Sequence, residues 1–439
     1  MARLICRILS CLCMVLVFGS CIYDYPPELD DEGGGIDRNN IVLQLNIKTL
    51  AASASVNPTE KIRSLRVVII GKGEAENEPD TIECNRLIGL PVMAAKDYSY
   101  IMMWNSRPGK KDIFVIANEA SIDNDITDLL DGYTEKKPAG DFAKWINGYS
   151  FKPSYTVDAN NNIYLPYTFS QEGIEPKAEV VNTINAWLIP VATKFIFNFT
   201  NNRTDGVMVN GISMAYANTS NYLLAKPGEG ELEKELNGKT LGWVDWLAEV
   251  SKNSWAYPDY GDNEVYNGQV GWISDYSMPD SDNPDDSYVY EFVKEGSADI
   301  FTVDGATKKE ENGEETIIPG KHSTPVYYLP ESANYKRLEA DAEAEQSPGT
   351  EGEEKEQRFY LTILFQDKGP STAPIFKDVA IPNLKALFRN TYVVINIKMS
   401  EGDIEVYGEI APWNFKTANG WVNEAPAPNP NPFSIRRKW

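Results

Sequence analysis

Few residues of this chain could do covalent or metal chemistry, and the most telling of them is Cys21. Gly19-Ser20-Cys21 closes an apolar run from Ile8 to Phe18 that follows Arg3 and Arg7. A positive start, a short apolar core and small residues before a cleavage point make a secretory signal, and the core is too short to span a bilayer comfortably as a helix. Small residues directly before a cysteine suit lipid attachment to the thiol and cleavage in front of it. Residues 1–20 are therefore expected to leave and Cys21 to carry the lipid. Phe18 stands where such signals usually have leucine, and an ordinary signal peptide that contains cysteines is the plain alternative.

Cys6, Cys11 and Cys13 would leave with the signal, so the body keeps only Cys84. No disulfide can form within one chain, and one thiolate cannot build a zinc site; Cys84 reads as a small buried residue. His322 is the only histidine, which removes most imidazole metal sites and nucleophile–base pairs. Its neighbours Lys321 and Ser323 suggest a loop. With 64 acidic residues, carboxylate pairs are unavoidable and say little about a glycosidase-type site. Asp280, Asp282, Asp285 and Asp286 approach a calcium loop, but Pro284 interrupts the coil and no glycine or terminal glutamate stands in register. Gly33 to Gly35 precede a strand rather than linking strand to helix, so they are no phosphate cradle. No Gly-x-Ser-x-Gly elbow is present. The chain is read as a non-enzyme with no cofactor and no metal.

The formal charge is -23, and losing Arg3 and Arg7 makes the body more acidic, so nucleic acid and anionic lipid are poor partners. Aromatic residues crowd the stretch from Trp243 to Tyr290. Among them Trp255 and Trp272, interleaved with Asp and Asn, could stack on sugar rings or another protein, or could simply anchor core and loops.

The elements that must position these residues are mostly strands. Ile41, Leu43, Leu45 and Ile47 alternate with polar residues, the period of a half-buried strand. The pattern returns at Leu65-Val67-Ile69, Ile113-Val115, Phe195-Phe197-Phe199, Phe359 to Phe365, Val393-Ile395-Ile397 and Ile404-Val406. Helical spacing is confined to Ile122–Leu130 and Trp243–Val250. The reading is all-β with few short helices. About 400 residues exceed one core, so two domains are expected, 41–185 and 186–420. Ahead of them 21–40 reads as a tether, with Pro26, Pro27 and acidic residues keeping it solvated. After them 421–439 is a Pro-rich tail, extended by Pro426, Pro428, Pro430 and Pro432. The acidic insert 338–357 reads as disordered.

Several segments in their order resemble the fimbrillin family, the lipoprotein precursors of type V pilus subunits in Bacteroidales. They are Asn40 to Thr49 with Lys61 to Gly71; Lys111 to Glu119, with Ala117-Asn118; Ile163 to Phe169; and Ile189 to Phe195. Further on come Tyr327-Tyr328-Leu329-Pro330-Glu331, Phe388-Arg389-Asn390-Thr391-Tyr392 and Ile404 to Trp413. Pro190 and Val191 stand where the family usually has an arginine before its alanine.

The resemblance implies two β-sandwich domains of transthyretin-like topology and polymerisation by strand exchange. A trypsin-like protease would remove the first strand (Ile41, Leu43, Leu45, Ile47), and a strand from the C-terminal region of another subunit (Ile404, Val406, Ile410, Trp413) would take its place. It also implies an outer-membrane, cell-surface location in a fimbrium, other pilus subunits as partners, the outer membrane reached through lipid, and a host or bacterial surface ligand for an adhesive subunit. One departure matters: Leu50 to Glu60 holds no basic residue, where the family's cleavage loop carries arginine. Either the cut falls at Lys61 or Arg63, or the subunit is not trimmed and serves as an anchor. A surface glycan-binding lipoprotein using the aromatic loops remains the alternative of a different class.

Overall fold

A computed structural model describes the body of the chain from Ile41 to Lys438. Outside the described residues lie 1–40, 50–58, 243–288, 334–358 and 422–432, with shorter stretches at 74–77, 96–97, 123–125, 154, 156, 179, 216–217, 226–232, 237–238, 312–313, 368–374, 382–385, 388, 402, 413–415, 418–419 and 439. The fold is all-β with two short helices among the described residues.

Seven strands build the first half: β1 (Ile41–Thr49), β2 (Lys61–Gly71), β3 (Thr81–Ala94), β4 (Ser99–Ser106), β5 (Lys111–Ala117), β6 (Tyr167–Ile174) and β7 (Val181–Pro190). Their order is β3-β2-β5-β6-β7-β1-β4, but β6 and β7 meet only at Tyr167↔Pro190 and Thr168↔Ile189. The path folds there into two layers. The inward residues of β1, β2, β5 and β7 share one core, with Leu43, Leu65, Val115 and Leu188 fully buried, as expected of sheets packed face to face.

The β2–β5 layer is covered on its other face as well. Val68, Ile70, Phe114 and Ile116 pack against α1 (Ile126–Asp131) and α2 (Phe142–Gly148), which is why β5 is apolar on both faces. The expected helix at Ile122–Leu130 is here a 3-10 turn at Glu119–Ser121 followed by α1. The short α2 went unread, although Phe142 and Ile146 have i,i+4 spacing. A buried Arg66 fastens this layer: it meets Glu119 at 2.5 and 2.8 Å, Asp131 at 2.7 Å and Asn85 at 2.9 Å.

The second half repeats the plan. One sheet holds β8 (Thr193–Asn201), β12 (Gly320–Ser323), β13 (Tyr327–Leu329), β16 (Thr391–Ser400), β17 (Asp403–Pro412) and β18 (Phe433–Lys438). The other holds β9 (Val207–Ala215), β10 (Val289–Val293), β11 (Phe301–Val303), β14 (Phe359–Asp367) and β15 (Ile375–Ile381). Phe195, Phe197, Val209, Ile363 and Ile395 fill the core between them.

Two sequence boundaries need adjustment. Residues 185 and 186 lie inside β7, a continuous strand paired with β1 as far as Leu188, and the buried Val191 and Ala192 separate it from β8. The polar turn near Lys177 marks the start of β7, not the end of the domain. The tail also returns to the fold, since its residues 433–438 pair with β17.

Candidate functional site

β1 is the middle strand of the β7-β1-β4 layer, next to the edge strand β4. It runs parallel to β7, from Val42↔Val181 to Thr49↔Leu188, and antiparallel to β4, from Ile41↔Ser106 to Lys48↔Ser99. Ile41, Leu43, Leu45 and Ile47 are at most 2% exposed and line the sandwich interior. On the outer face Gln44 Nε2 donates to Asn46 Oδ1 at 2.9 Å, and Asn46 Nδ2 to Asn185 Oδ1 at 3.2 Å. A strand so placed leaves behind unpaired backbone on two neighbours and four apolar pockets if it departs.

Immediately after the 50–58 stretch the chain enters a dense polar knot between the sandwiches. Glu60, fully buried, accepts from Lys194 Nζ at 2.7 Å and from the Tyr328 hydroxyl at 2.8 Å. Lys194 also lies 5.3 Å from the centre of the Tyr392 ring. Burial lowers the pKa of Lys194, opposed by the Glu60 carboxylate. Burial raises those of the Tyr167 and Tyr392 hydroxyls, with Glu60 adding to it. The pair thus joins the start of β2 to the lead strand of the second sandwich.

Asn118 secures the next residues. Its backbone is left-handed, with φ 57°, which asparagine tolerates better than most residues. That turn aims its amide at Lys61 O and Leu165 O, both at 2.8 Å, while Oδ1 accepts from Arg63 N at 3.0 Å. Lys61 N donates to Ile163 O at 2.9 Å. Both candidate processing residues therefore sit in backbone-bonded β2, with the Arg63 guanidinium 4.5 Å above the Tyr164 ring.

The segments Tyr327 to Glu331 and Arg389 to Tyr392 meet at the far side of the junction through Glu331 and Arg389. Glu331 accepts from Arg389 NH2 at 2.6 Å and from Arg389 N at 2.8 Å; NH1 and NH2 also donate to Leu223 O and Tyr222 O at 3.0 and 2.7 Å. Sequence reasoning singled out Glu331, Arg389, Asn118 and Lys194 only as parts of motifs, and missed Glu60 as a buried partner. The available signal was Lys194 within the strand run Thr193-Lys194-Phe195-Ile196-Phe197, a charge where a core-facing pattern was starting.

Of the donor region, Ile404 and Val406 lie in the second core at 5% and 3% exposure, on β17, which pairs with β16 over ten residues and with β18 on its other side. Ile410 belongs to β17. Trp413, Trp255, Trp272, Cys21, the insert 338–357 and the expected helix at 243–250 lie outside the described residues. Cys84 is buried in the first core, its thiol pushed up to about 12 by burial and by the nearby Glu135 carboxylate. His322 is on β12 rather than in a loop, stacked on Phe301 with centroids 4.0 Å apart, its pKa lowered by burial. Among the described residues no group of three or more His, Cys, Asp or Glu is placed to hold a metal, and no helix is long and apolar enough to cross a membrane.

No family profile and no curated protein matches the chain. Similar solved structures include the C-terminally truncated tip fimbrial protein Mfa3 from Porphyromonas gingivalis, 13% identical over 85% of this chain and 100% of that one, TM-score 0.43. A fimbrial assembly protein from Parabacteroides distasonis is 10% identical over 85% of this chain and 98% of that one, TM-score 0.38. The fimbrial anchor protein Mfa2 from Porphyromonas gingivalis is 9% identical over 85% of this chain and 99% of that one, TM-score 0.33.

Proposed function

We propose that this chain is a structural or adhesive subunit of a surface pilus, delivered to the outer membrane by a lipid on Cys21 and assembled with other subunits by strand exchange. The supporting observation is the position of β1. It lies between β4 and β7, is apolar on its inner face, and is covalently linked to the following strands of its sandwich through the 50–58 stretch. Losing it would open a strand-wide acceptor slot between β4 and β7, and a strand with apolar residues at alternate positions would refill it. The C-terminal stretch from Ile404 onward supplies that donor. In this conformation β17 is paired on both sides, so donation requires at least one of those ladders to open.

A second reading, an unprocessed anchor that keeps β1 and its lipid, is favoured by the knot at Glu60 to Arg63. A protease needs several residues in extended, accessible form around the cut, whereas Lys61 and Arg63 are tied to Ile163 and Asn118 and the preceding loop carries no basic residue.

N-terminal sequencing of the surface-exposed protein separates the two. A start near Ile62 or Ser64 supports the processed subunit, and a start at Cys21 supports the anchor. Deletion of residues 404–439 is expected to abolish surface filaments; intact filaments would remove the donor role.

A further inference from the structure

The two edge strands of the first sandwich are built differently. β3 carries Glu83, Arg86 and Pro91 and shifts register twice against β2, the usual protections of an exposed edge. β4 has none of them. Its eight residues, Ser-Tyr-Ile-Met-Met-Trp-Asn-Ser, include no charge and no proline, and it pairs with β1 without a single register shift. Among the described residues no strand pairs with its other side. Ile101 and Met103 stand on its outer face at 45% and 37% exposure. The neighbouring outer positions of β1 are the neutral Val42, Gln44 and Asn46 opposite Asn105, Met103 and Ile101, with Lys48 opposite Ser99 at one end, so the uncharged strip is two strands wide over the middle of β4.

We propose that β4 is a lateral pairing edge, occupied by β4 of a second copy in antiparallel register about a two-fold axis. Self-complementarity selects the occupant, and the neutral strip gives it room. Two chains of formal charge -23 repel over most of their surface, and a neutral strip is where they can approach. The strand is self-complementary. Opposed residues share a face in antiparallel pairs, and centring the axis on Met102 sets Ile101 opposite Met103 outside and Met102 opposite itself inside. Such an isologous contact closes on itself and joins two first sandwiches side by side. It is separate from the end-to-end strand exchange proposed above and needs neither removal of β1 nor the C-terminal strands.

The test uses the full chain in sedimentation equilibrium across the micromolar range. A monomer–dimer equilibrium is expected, with Ile101→Lys and Met103→Lys each raising the dissociation constant by about tenfold or more. Because both side chains point outward, thermal melting of the monomer, at concentrations well below the dissociation constant, should be unchanged. A chain that stays monomeric throughout, or a dimer indifferent to both variants, overturns the proposal. Register is read by cysteine cross-linking. Ile101→Cys mixed with Met103→Cys should form a disulfide-linked pair on oxidation while each alone should not, and equal cross-linking of single variants would overturn the assigned axis.

Discussion

The lead strands of the two sandwiches, β1 and β8, occupy the same place by different means. Each runs parallel to its closing strand, β7 or β16, and antiparallel to a strand on its other side. Each turns alternate apolar residues inward, Ile41 to Ile47 in one and Phe195, Phe197 and Phe199 in the other. But β8 is separated from β7 by only two residues, Val191 and Ala192, and it carries Lys194 into the knot with Glu60. β1 has only the 50–58 stretch behind it and bears no buried charge. What distinguishes the two strands is covalent attachment and polar clamps, not how apolar they are, and the proposed exchange of β1 draws on that difference.

The largest effect should come from deleting residues 41–49. Removing four buried side chains at ~1.5–3 kcal/mol each approaches the whole stability of a domain, about 5–15 kcal/mol. The truncated chain should recover a cooperative melt when a peptide of residues 41–49 is added. Deletion of 193–201 should not be rescued by its own peptide; if it is, the two lead strands are equivalent and the contrast fails.

Breaking the knot comes next. Glu60→Leu or Lys194→Met alone strands a buried charge and should cost about 3–5 kcal/mol, whereas the two together should cost only about 1–3 kcal/mol, for the Tyr328 hydroxyl losing its Glu60 acceptor. Urea unfolding of the three variants measures this, and additive losses in the double variant would show that the pair is not one unit. Asn118→Ala should lose ~1–3 kcal/mol for backbone carbonyls left unsatisfied, with added strain at its left-handed φ. Limited trypsin digestion should then cut at Lys61 or Arg63 faster than in the parent chain, and an unchanged rate would argue that Asn118 does not guard that segment.

The smallest effect concerns the turn leading into Ile163. The Asn162 side-chain amide, the Asn162 and Asn160 backbone amides and the Tyr164 hydroxyl hold the Asp158 carboxyl down to about 2. A folded pKa below the unfolded one gives stability present above the ordinary carboxylate range and lost as pH falls toward 2. Melting of Asp158→Asn against pH should therefore lack a small acid-side slope that the parent shows between about pH 4 and 2. Equal slopes would assign that loss to other carboxylates.

Much of the fold was legible because alternation is local. Ile41 to Ile47 or Val393 to Ile397 declare a two-faced strand from their own residues, and the same pattern predicts an all-β body without partners being known. The helices were less legible, since six or seven residues carry too few turns for a period of 3.6 to show. The composition argument, with one histidine and one body cysteine, was likewise complete in the sequence.

Pairing was not. That Glu60 meets Lys194 across 134 residues, or Glu331 meets Arg389 across 58, depends on how the sandwiches abut, and one buried charge in a sequence does not name its counter-charge. The neutrality of β4 was likewise written in its residues, yet only its place at the end of the sheet made that neutrality an open edge. Local chemistry determines what each strand can bury; the crossing of strands far apart in the chain decides which of them is central, which is clamped and which is free to pair again.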